Sequence, residues 1–328
     1  MPMTADPTDL TKGKRGAAVE GMSSTADLAA ILCDLSGTEG LLEISGSEHR
    51  DFLQNQLSTD VRKLTRNTGQ FCACSNAKGR VVATLRVFER AGVALLALPQ
   101  DLVPELAAYL QRYVLRSLVT ITDVSERSTR LGLAGDAARA LLEACGCEVP
   151  VAANGLGGRE GILLMRLPGA TPRFAIYGEP ATVAPLRTEL EQRGAMNVED
   201  LDWTRLRILA GEPALHPSTS GRFLPQSLGL EELDAVHLNK GCYLGQEVIA
   251  RAHYRGTVKR HLRHARCESA QAIVPGSTIH AATREAPVAE VVEAAPSRDG
   301  TGQLLIVMQD EFITAPLFFR GAAVELVA

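Results

Sequence analysis

One order of apolar segments occurs twice along the chain, and this repeat constrains the fold more than any other feature of the sequence. In residues 26–125, and again in residues 126–255, strand-like runs alternate with helix-like runs in a βαββαβ order. Such an order predicts two related ferredoxin-like α+β units. It leaves open whether the two units are separate globules or interleave.

The pattern changes in the C-terminal part of the chain, residues 256–328. Helical patterns are replaced there by β-rich runs, and the turns between them hold Pro-Gly, Asp-Gly and Arg-Gly pairs. This arrangement predicts a small C-terminal β-barrel. The strand-like runs are Lys259–Cys267, Ala289–Ala294, Gln303–Met308 and Ala323–Leu326.

Capping residues predict two helix ends. Ser47 can cap a helix whose apolar residues Phe52 and Leu53 recur at helical spacing. A second helix, Ala181–Arg193, is expected to end at Gly194, because glycine is typical of the position just after a helix. Residues 1–25 are polar and are expected to form a disordered tail.

Composition excludes several classes of protein. The 34 Lys and Arg residues against 38 Asp and Glu residues give a net charge of −4, which lacks the positive field of a dedicated duplex-binding protein. The longest apolar stretch, Val93–Pro99, is far shorter than the about 20 residues that cross a bilayer. The seven cysteines are odd in number and thinly spread, which disfavours a disulfide framework. We therefore expect a cytoplasmic protein with no membrane partner.

The segment Lys240–Glu247, which we call the octet, is the part of the chain that packing explains least. Its two glycines, Gly241 and Gly245, allow tight turns and a close approach to a ligand. Lys240 can meet an anionic group. The alternative interpretation is a polar turn that leads into a helix over Glu247–Arg251.

The polar side chains of the octet suit a heterocyclic ligand. Gln246 and Glu247 together offer the donors and acceptors that can read one edge of such a ring. Cys242 lies beside a lysine, and a nearby cation favours the thiolate form that ligates iron or reacts. The residues of the octet predicted to bind the ligand are Lys240, Gly241, Tyr243, Gly245, Gln246 and Glu247.

The octet and the residues that follow it resemble the signature of the folate-binding YgfZ family, which is related to the aminomethyltransferase (T-protein) of the glycine cleavage system. The resemblance spans about Asp34 to the C-terminus. The matching segments outside the octet are Phe52-Leu53-Gln54, Gln56-Leu57, Asp60-Val61, Lys78-Gly79-Arg80, Ala210-Gly211-Glu212-Pro213, Phe223-Leu224-Pro225-Gln226, Val248-Ile249-Ala250-Arg251, Tyr254-Arg255-Gly256 and Lys259-Arg260.

The resemblance implies an aminomethyltransferase-like fold, in which two α+β units and a C-terminal barrel surround a central channel for tetrahydrofolate. It also implies a role in assembling or maintaining iron–sulfur enzymes, including radical enzymes that modify tRNA. Iron–sulfur client enzymes or cluster-assembly proteins are then the expected partners. In the family, the cysteine of the octet is closely tied to function, and this role carries over to Cys242.

The sequence departs from the T-proteins where their carboxylates lie. Their Gly-Gly-x-x-Asp-Asp segment matches residues 79–84 here, and Ala83 and Thr84 replace the two acids. No side chain there can act as a general base, which disfavours an enzyme that transfers aminomethyl groups. Gln226 or Glu247 would then have to bind the pterin edge. A folate-dependent one-carbon transferase remains an alternative function.

Trp203 is the single tryptophan of the chain, and two interpretations of it stay open. A lone tryptophan commonly packs in a core or at its rim. Its position just before the Ala210-Gly211 match also favours stacking against the flat pterin or benzoyl ring of folate.

Arg251 and Arg255 are predicted to bind the glutamate carboxylates of folate, because the planar guanidinium suits a carboxylate. An RNA backbone could use the same charges, which makes a direct tRNA-binding module a further alternative. No ladder of aromatic residues interleaves with these charges, so direct nucleic-acid binding is disfavoured.

Two Cys-x-Cys pairs raise the question of a metal site. Strong zinc or cluster sites usually show Cys-x2-Cys pairs with matched partners. The pairs Cys72-Ala73-Cys74 and Cys145-Gly146-Cys147 lie in different units and lack that spacing. We expect them to be buried thiols, and we expect no permanent metal.

Overall fold

A computed structural model describes residues 30–256 and 258–327 of the chain. The predicted tail, residues 1–25, lies outside the described residues. The helices are α1 His49–Gln56, α2 Val103–Gln111, α3 Ala138–Ala144, α4 Pro180–Gln192, α5 Asp200–Leu209 and α6 Gln246–Arg255. The strands are β1 Ile31–Asp34, β2 Glu39–Ser45, β3 Gln70–Ser75, β4 Val81–Arg90, β5 Val93–Pro99, β6 Thr120–Asp123, β7 Thr129–Ala134, β8 Leu156–Arg159, β9 Ile162–Leu167, β10 Arg173–Gly178, β11 Met196–Val198, β12 Arg260–Cys267, β13 Thr278–Ala281, β14 Arg284–Pro296, β15 Gly302–Gln309, β16 Leu317–Phe319 and β17 Ala322–Leu326.

The first sheet has five strands in the order β3-β4-β5-β2-β6, and all neighbouring pairs are antiparallel. The interior strand β4 is rich in β-branched and aromatic residues, which suit a strand buried on both faces. One face packs against α1 and α2 through apolar residues such as Leu53 and Leu106. The opposite face is therefore free to pack against a second layer.

The second sheet has six strands in the order β11-β1-β7-β10-β9-β8. Strand β1 precedes the whole first sheet in the sequence, yet it pairs with β7 and, in parallel, with β11. The two α+β units thus interleave through β1. Helices α3 and α4 cover one face of this sheet, with Leu142, Leu186 and Leu190 in the shared core.

The uncovered faces of the two sheets pack against each other. Phe88 of the first sheet meets Tyr177 of the second, with ring centroids 4.9 Å apart. Trp203 of α5 belongs to the same core and lies flat over β7. A buried carboxylate also joins the sheets, since Glu212 accepts hydrogen bonds from Arg86 of β4 and Arg173 of β10. This interface between the sheets is where a central site can lie.

The predicted C-terminal barrel is confirmed. Its six strands close in the order β12-β15-β14-β13-β16-β17, and the barrel has an apolar core of its own. Half-buried Arg207 of α5 pairs with buried Glu293 of β14, which ties the barrel to the α+β part of the chain. No helix of the described residues is long and apolar enough to cross a membrane.

The predicted helix ends are partly right. The helix predicted over Ala181–Arg193 is confirmed within one residue, and Gly194 follows it with φ +100°. The prediction that Ser47 caps the first helix is wrong, because that helix begins at His49 after Glu48 and has no side-chain cap. Ser47 instead lies in the turn that follows β2.

The packing of Trp203 generates a test of the sheet interface. A Cβ atom added at Gly132 of β7 would lie 2.6 Å from the indole ring, a distance that forces the ring to move. Gly132→Ala should therefore destabilise the protein by about 1–3 kcal/mol, the usual cost of overpacking a core. Thermal unfolding followed by circular dichroism measures the effect.

The matched control is Gly37→Ala. Gly37 is exposed, and an added Cβ would meet no atom within 4 Å. The control should unfold within the error of the unchanged protein. Equal unfolding midpoints for the two variants would show that the indole does not pack on β7 as described.

Candidate functional site

The octet is attached to the first sheet by contacts between glycines and the backbone. Gly245, with φ +82°, precedes α6, and a Cβ there would lie 2.4 Å from the Asn76 carbonyl oxygen. Gly79, with φ +69°, packs in the same way against Val248. Gly245 requires glycine because a side chain there would meet backbone atoms, and Gly79 favours glycine because of its positive φ and because a Cβ would lie 3.0 Å from the Val248 side chain. The octet is thus in direct contact with the segment Lys78-Gly79-Arg80, which also belongs to the family resemblance.

Lys240 is buried, and its ammonium group holds the octet against α1. The Nζ atom donates hydrogen bonds to the carbonyl oxygens of Gln54, Leu57 and Thr59, at 2.8, 2.6 and 2.6 Å. Burial lowers the pKa of Lys240 to about 8. An ammonium group has three donors, and all three are used here. The structure therefore gives Lys240 an anchoring position instead of the predicted contact with an anionic group.

Tyr243 and Gln246 close the octet on itself. The Tyr243 ring is buried below the Lys240 ammonium, 5.1 Å from ring centroid to Nζ, and burial raises the pKa of its phenol to about 12. The Gln246 side chain accepts a hydrogen bond from the Tyr243 amide at 3.3 Å and donates one to the Leu238 carbonyl at 3.4 Å. These bonds occupy the side-chain amide of Gln246, which was predicted to pair with the edge of a heterocycle.

Cys242 lies exposed between these anchored neighbours. All seven cysteines fall in the described part of the chain, all are free, and six of them are buried. Gly241 is also exposed, and no atom lies within 4 Å of the position that a Cβ would take there. The octet thus fixes the backbone on both sides of Cys242 and leaves its thiol open to a partner.

A large cavity opens beside the octet, and we call it the open cavity. Its volume is about 770 Å³. The loop that leads into Lys240, the helix α6, strand β3 with the loop before it, and a loop of the second unit form its walls. Its lining residues are Lys63, Asn67, Thr68, Gly69, Gln70, Phe71, Ala152, Ala153, Asn154, Gly155, Asp234, Val236, His237, Leu238, Asn239, His253 and Tyr254.

The walls of the open cavity combine aromatic and polar groups. Tyr254 is two-thirds exposed, and its ring meets His253 edge to face with centroids 4.7 Å apart. His253 Nδ1 lies 2.8 Å from a Glu231 carboxylate oxygen, which orients the imidazole. His237 Nδ1 accepts a hydrogen bond from the Asp60 amide at 2.9 Å. The imidazoles of His237 and His253 are thus oriented by hydrogen bonds within the protein.

Gln226 and the charged residues Glu247, Arg251 and Arg255 of α6 do not line the open cavity. The buried Gln226 amide donates to Glu231 at 2.7 Å and to the Ile249 carbonyl at 3.1 Å, which ties α6 to the segment before it. Glu247 and Arg251 form an exposed pair one helical turn apart, with 3.1 Å between Oε1 and Nη2. Arg255 is exposed at the last turn of α6.

Trp203 lines a second, much smaller space, which we call the buried cavity. Its volume is about 40 Å³, and it lies between the two sheets. Thr84 also lines it, and its hydroxyl donates to the Pro213 carbonyl at 2.8 Å. The Arg173 guanidinium lies 5.8 Å from the centroid of the Trp203 ring.

None of the octet residues predicted to bind a ligand lines the open cavity; the residues just before the octet and those near the end of α6 do. Sequence reasoning missed Phe71, Asn154, His237 and Tyr254 as lining residues. Tyr254 could have been predicted, since it belongs to the matching segment Tyr254-Arg255-Gly256. Asn154 could not, because only the three-dimensional fold brings its loop to the same cavity. Among the described residues, no three His, Cys, Asp or Glu side chains are grouped so that they could hold a metal ion.

Known proteins resemble the chain in sequence and in fold. No family model matches it. The protein named tRNA-modifying protein YgfZ from Sodalis glossinidius is 33% identical over 222 residues, 68% of this chain and 67% of that protein. The protein of the same name from Pectobacterium carotovorum is 31% identical, over 73% of this chain and 71% of its own length. The one from Escherichia coli strain SE11 is 34% identical, over 68% of this chain and 68% of its own length.

A solved structure supports the fold at lower identity. The glycine cleavage system aminomethyltransferase T from Bartonella henselae superposes with a TM-score of 0.71 at 16% identity, over 91% of this chain and 85% of its own. At this identity the likeness concerns the fold alone. The predicted aminomethyltransferase-like α+β fold with a C-terminal barrel is confirmed.

The position of Lys240 generates a test of how the octet is held. Lys240→Met keeps the length of the side chain and removes the three hydrogen bonds to buried carbonyls. We expect a loss of about 2–4 kcal/mol in the free energy of unfolding, because hydrogen bonds to charged groups are among the stronger ones. We also expect faster hydrogen exchange in residues 238–245 than in the unchanged protein.

Lys259→Met is the control, because Lys259 is an exposed lysine just before the barrel strand β12. It should leave both the unfolding midpoint and the exchange rates unchanged. An octet that exchanges no faster in Lys240→Met than in this control would contradict the anchoring role of Lys240.

Proposed function

Because the chain belongs to the YgfZ family, we propose that it acts in tRNA modification as a tetrahydrofolate-binding accessory protein of the cytoplasm. Its clients in this proposal are iron–sulfur enzymes, including radical enzymes that modify tRNA, or the proteins that assemble their clusters. Cys242 is the thiol that acts on them. The observation that carries the proposal is the exposed Cys242 between buried, anchored neighbours, three residues after Asn239, which lines a cavity large enough for folate.

The size and the walls of the open cavity support folate as the ligand. Pockets for small organic ligands usually measure about 300–1,000 Å³, and the open cavity falls within this range. Phe71 and Tyr254 offer aromatic faces for the flat rings, and Asn67 and Asn154 offer amides that can pair with a pterin edge. Lys63, and Arg255 on the adjoining helix, can attract the glutamate carboxylates.

The surroundings of Cys242 support a thiol that meets a macromolecular partner. A thiolate is the form of cysteine that ligates iron, and access is needed for transfer to another protein. Of the seven cysteines, Cys242 alone combines exposure with a fixed backbone, because Lys240 and Tyr243 are both buried beside it. The other six are enclosed in cores, where burial raises the pKa of Cys72, for example, to about 12.

The site gives less support to the two alternative functions. A one-carbon transferase of the T-protein type needs a carboxylate near the folate amine, whereas Thr84 is buried and donates its hydroxyl to a backbone carbonyl. A tRNA-binding surface needs unpaired positive charge, whereas Arg251 on α6 pairs with Glu247. Neither observation favours these functions over the accessory role.

The role of Cys242 is tested in cells that lack their own copy of the protein. Cys242→Ser should reduce the tRNA modification made by a radical iron–sulfur enzyme to the level of cells without the protein, because a serine hydroxyl ligates iron far more weakly than a thiolate and does not exchange with thiols. The folded state should be unchanged, since the Cys242 side chain is exposed. Mass spectrometry of the modified nucleoside and thermal unfolding measure the two effects.

Cys145→Ala serves as the matched control, because it also removes one thiol, from a buried position in the second unit. This variant should retain the modification. Full modification with Cys242→Ser would refute the role of the thiol. An equal loss in both variants would show that the loss does not depend on Cys242.

Folate binding is tested by calorimetry with tetrahydrofolate under reducing conditions. Tyr254→Ala should weaken binding about five- to tenfold, since an aromatic contact with a ligand ring contributes about 1 kcal/mol. Leu118→Ala is the control, because Leu118 has the same exposed fraction, 67%, and lies at the far end of the first sheet. Unchanged affinity in Tyr254→Ala would exclude the open cavity as the folate site, and an absence of heat with the unchanged protein would exclude folate itself.

A further inference from the structure

The exposed thiol of Cys242 lies close to the turn between β3 and β4. Gly245 touches this turn, since a Cβ added there would lie 2.4 Å from the Asn76 carbonyl oxygen and 2.9 Å from the Cα atom of Gly79. Cys242 precedes Gly245 by three residues, which span at most about 11 Å. A protein partner usually covers about 800 Å², a patch about 30 Å across, so one partner can cover both the thiol and the turn.

The turn carries two positive charges on a fixed backbone. The Asn76 Oδ1 atom accepts hydrogen bonds from the amides of Lys78 and Arg80, at 2.9 and 3.1 Å. Both side chains are exposed. Arg80 donates from Nη1 to the Arg222 carbonyl at 2.9 Å, and within the described part of the chain no salt bridge joins Lys78 or Arg80 to an acid. The two charges are therefore available to a partner.

The two segments in contact here carry an excess of positive charge. Residues 76–80 and 240–256 together hold five Lys and Arg residues and a single acid, Glu247, which pairs with Arg251 at 3.1 Å. Other acids close to these segments are already hydrogen-bonded, namely Glu290 to Arg222, Glu231 to Gln226 and His253, and Glu105 to Ser220. A surface with such a charge attracts acidic partners.

Val248 adds an apolar contact to this surface. Its side chain is 40% exposed, and its Cβ atom lies 3.0 Å from the position that a Cβ would take at Gly79, the residue between Lys78 and Arg80. Surfaces that bind single-stranded RNA combine positive charge with exposed aromatic rings on which bases stack. The aromatic residue of segments 76–80 and 240–248 is Tyr243, which is buried. These features favour a protein over RNA.

We propose that Cys242, Val248, Lys78 and Arg80 form a docking surface for an acidic segment of the partner protein that meets the thiol. This inference rests on the proposed function and deepens it, because it states the chemistry of the partner that Cys242 serves. None of the four residues lines the open cavity, so the surface can be tested without folate.

Two synthetic peptides serve as probes of the docking surface. Each contains one cysteine held as a mixed disulfide with 2-thiopyridine, flanked by Asp and Glu in one peptide and by Lys in the other. The Cys242 thiolate attacks the peptide sulfur, a Cys242–peptide disulfide forms, and the thiopyridine leaves as a thiolate that takes up a proton. Absorbance of the released thione gives the rate, and mass spectrometry identifies the modified cysteine.

The acidic peptide should react about five- to tenfold faster than the lysine peptide at low salt, because opposite charges raise its concentration near the thiol. The difference should vanish in 1 M salt, where the Debye length falls to about 3 Å. Cys242→Ser should release no thione on this timescale, since the other six cysteines are buried.

Charge reversal locates the effect. Lys78→Glu combined with Arg80→Glu should abolish or reverse the preference for the acidic peptide. The matched control is Arg127→Glu combined with Arg193→Glu, which changes the net charge by the same amount at two exposed arginines of other segments. The control should keep the preference, and thermal unfolding verifies that both proteins are folded.

Equal rates for the two peptides in the unchanged protein, or a preference that survives in Lys78→Glu with Arg80→Glu, would overturn the proposal. Micromolar binding of tRNA that is lost in the same variant would assign the surface to RNA and overturn it as well. The proposed function fails separately, through full tRNA modification in cells with Cys242→Ser. Equal peptide rates together with lost modification in Cys242→Ser would remove the docking surface and leave the role of the thiol.

Discussion

The bonds from the Lys240 ammonium to three backbone carbonyls are the interaction on which the candidate site depends. They join the octet to the end of α1, and the contact between Gly245 and the Asn76 carbonyl joins it to the next turn of the first sheet. Held at both points, the octet presents Cys242 to the outside, and the residues just before the octet line one wall of the open cavity. A flexible loop with the same residues would offer neither a fixed thiol nor a formed cavity.

Much of the fold could be predicted because it is local. The hydrophobic periodicity marks the helix α4 and the hairpin of β4 and β5, and the change of pattern after α6 marks the barrel. The pairing of β1 with β7 and β11 could not be predicted, since a short strand carries no sign of a distant partner. The role of Lys240 was missed for the same reason, because its acceptors lie more than 180 residues away in the sequence.

The open cavity and the buried cavity are lined by different kinds of side chain. The open cavity offers rings and neutral amides, which suit a large ligand that enters from solvent, whereas the buried cavity concentrates arginines around Glu212. Arg86 lies at the boundary, since it lines the buried cavity and donates at 2.8 Å to Asn154, which lines the open one. A single side chain thus contacts the lining residues of both cavities.

The central claim is that tetrahydrofolate binds in the open cavity beside the octet. A crystal structure of the full chain with tetrahydrofolate tests it most directly. The account predicts density for the folate rings against Phe71 and Tyr254, with Cys242 exposed and Lys240 still bonded to the carbonyls of Gln54, Leu57 and Thr59. Folate density at any other place, or an octet that leaves α1 when folate binds, would contradict it.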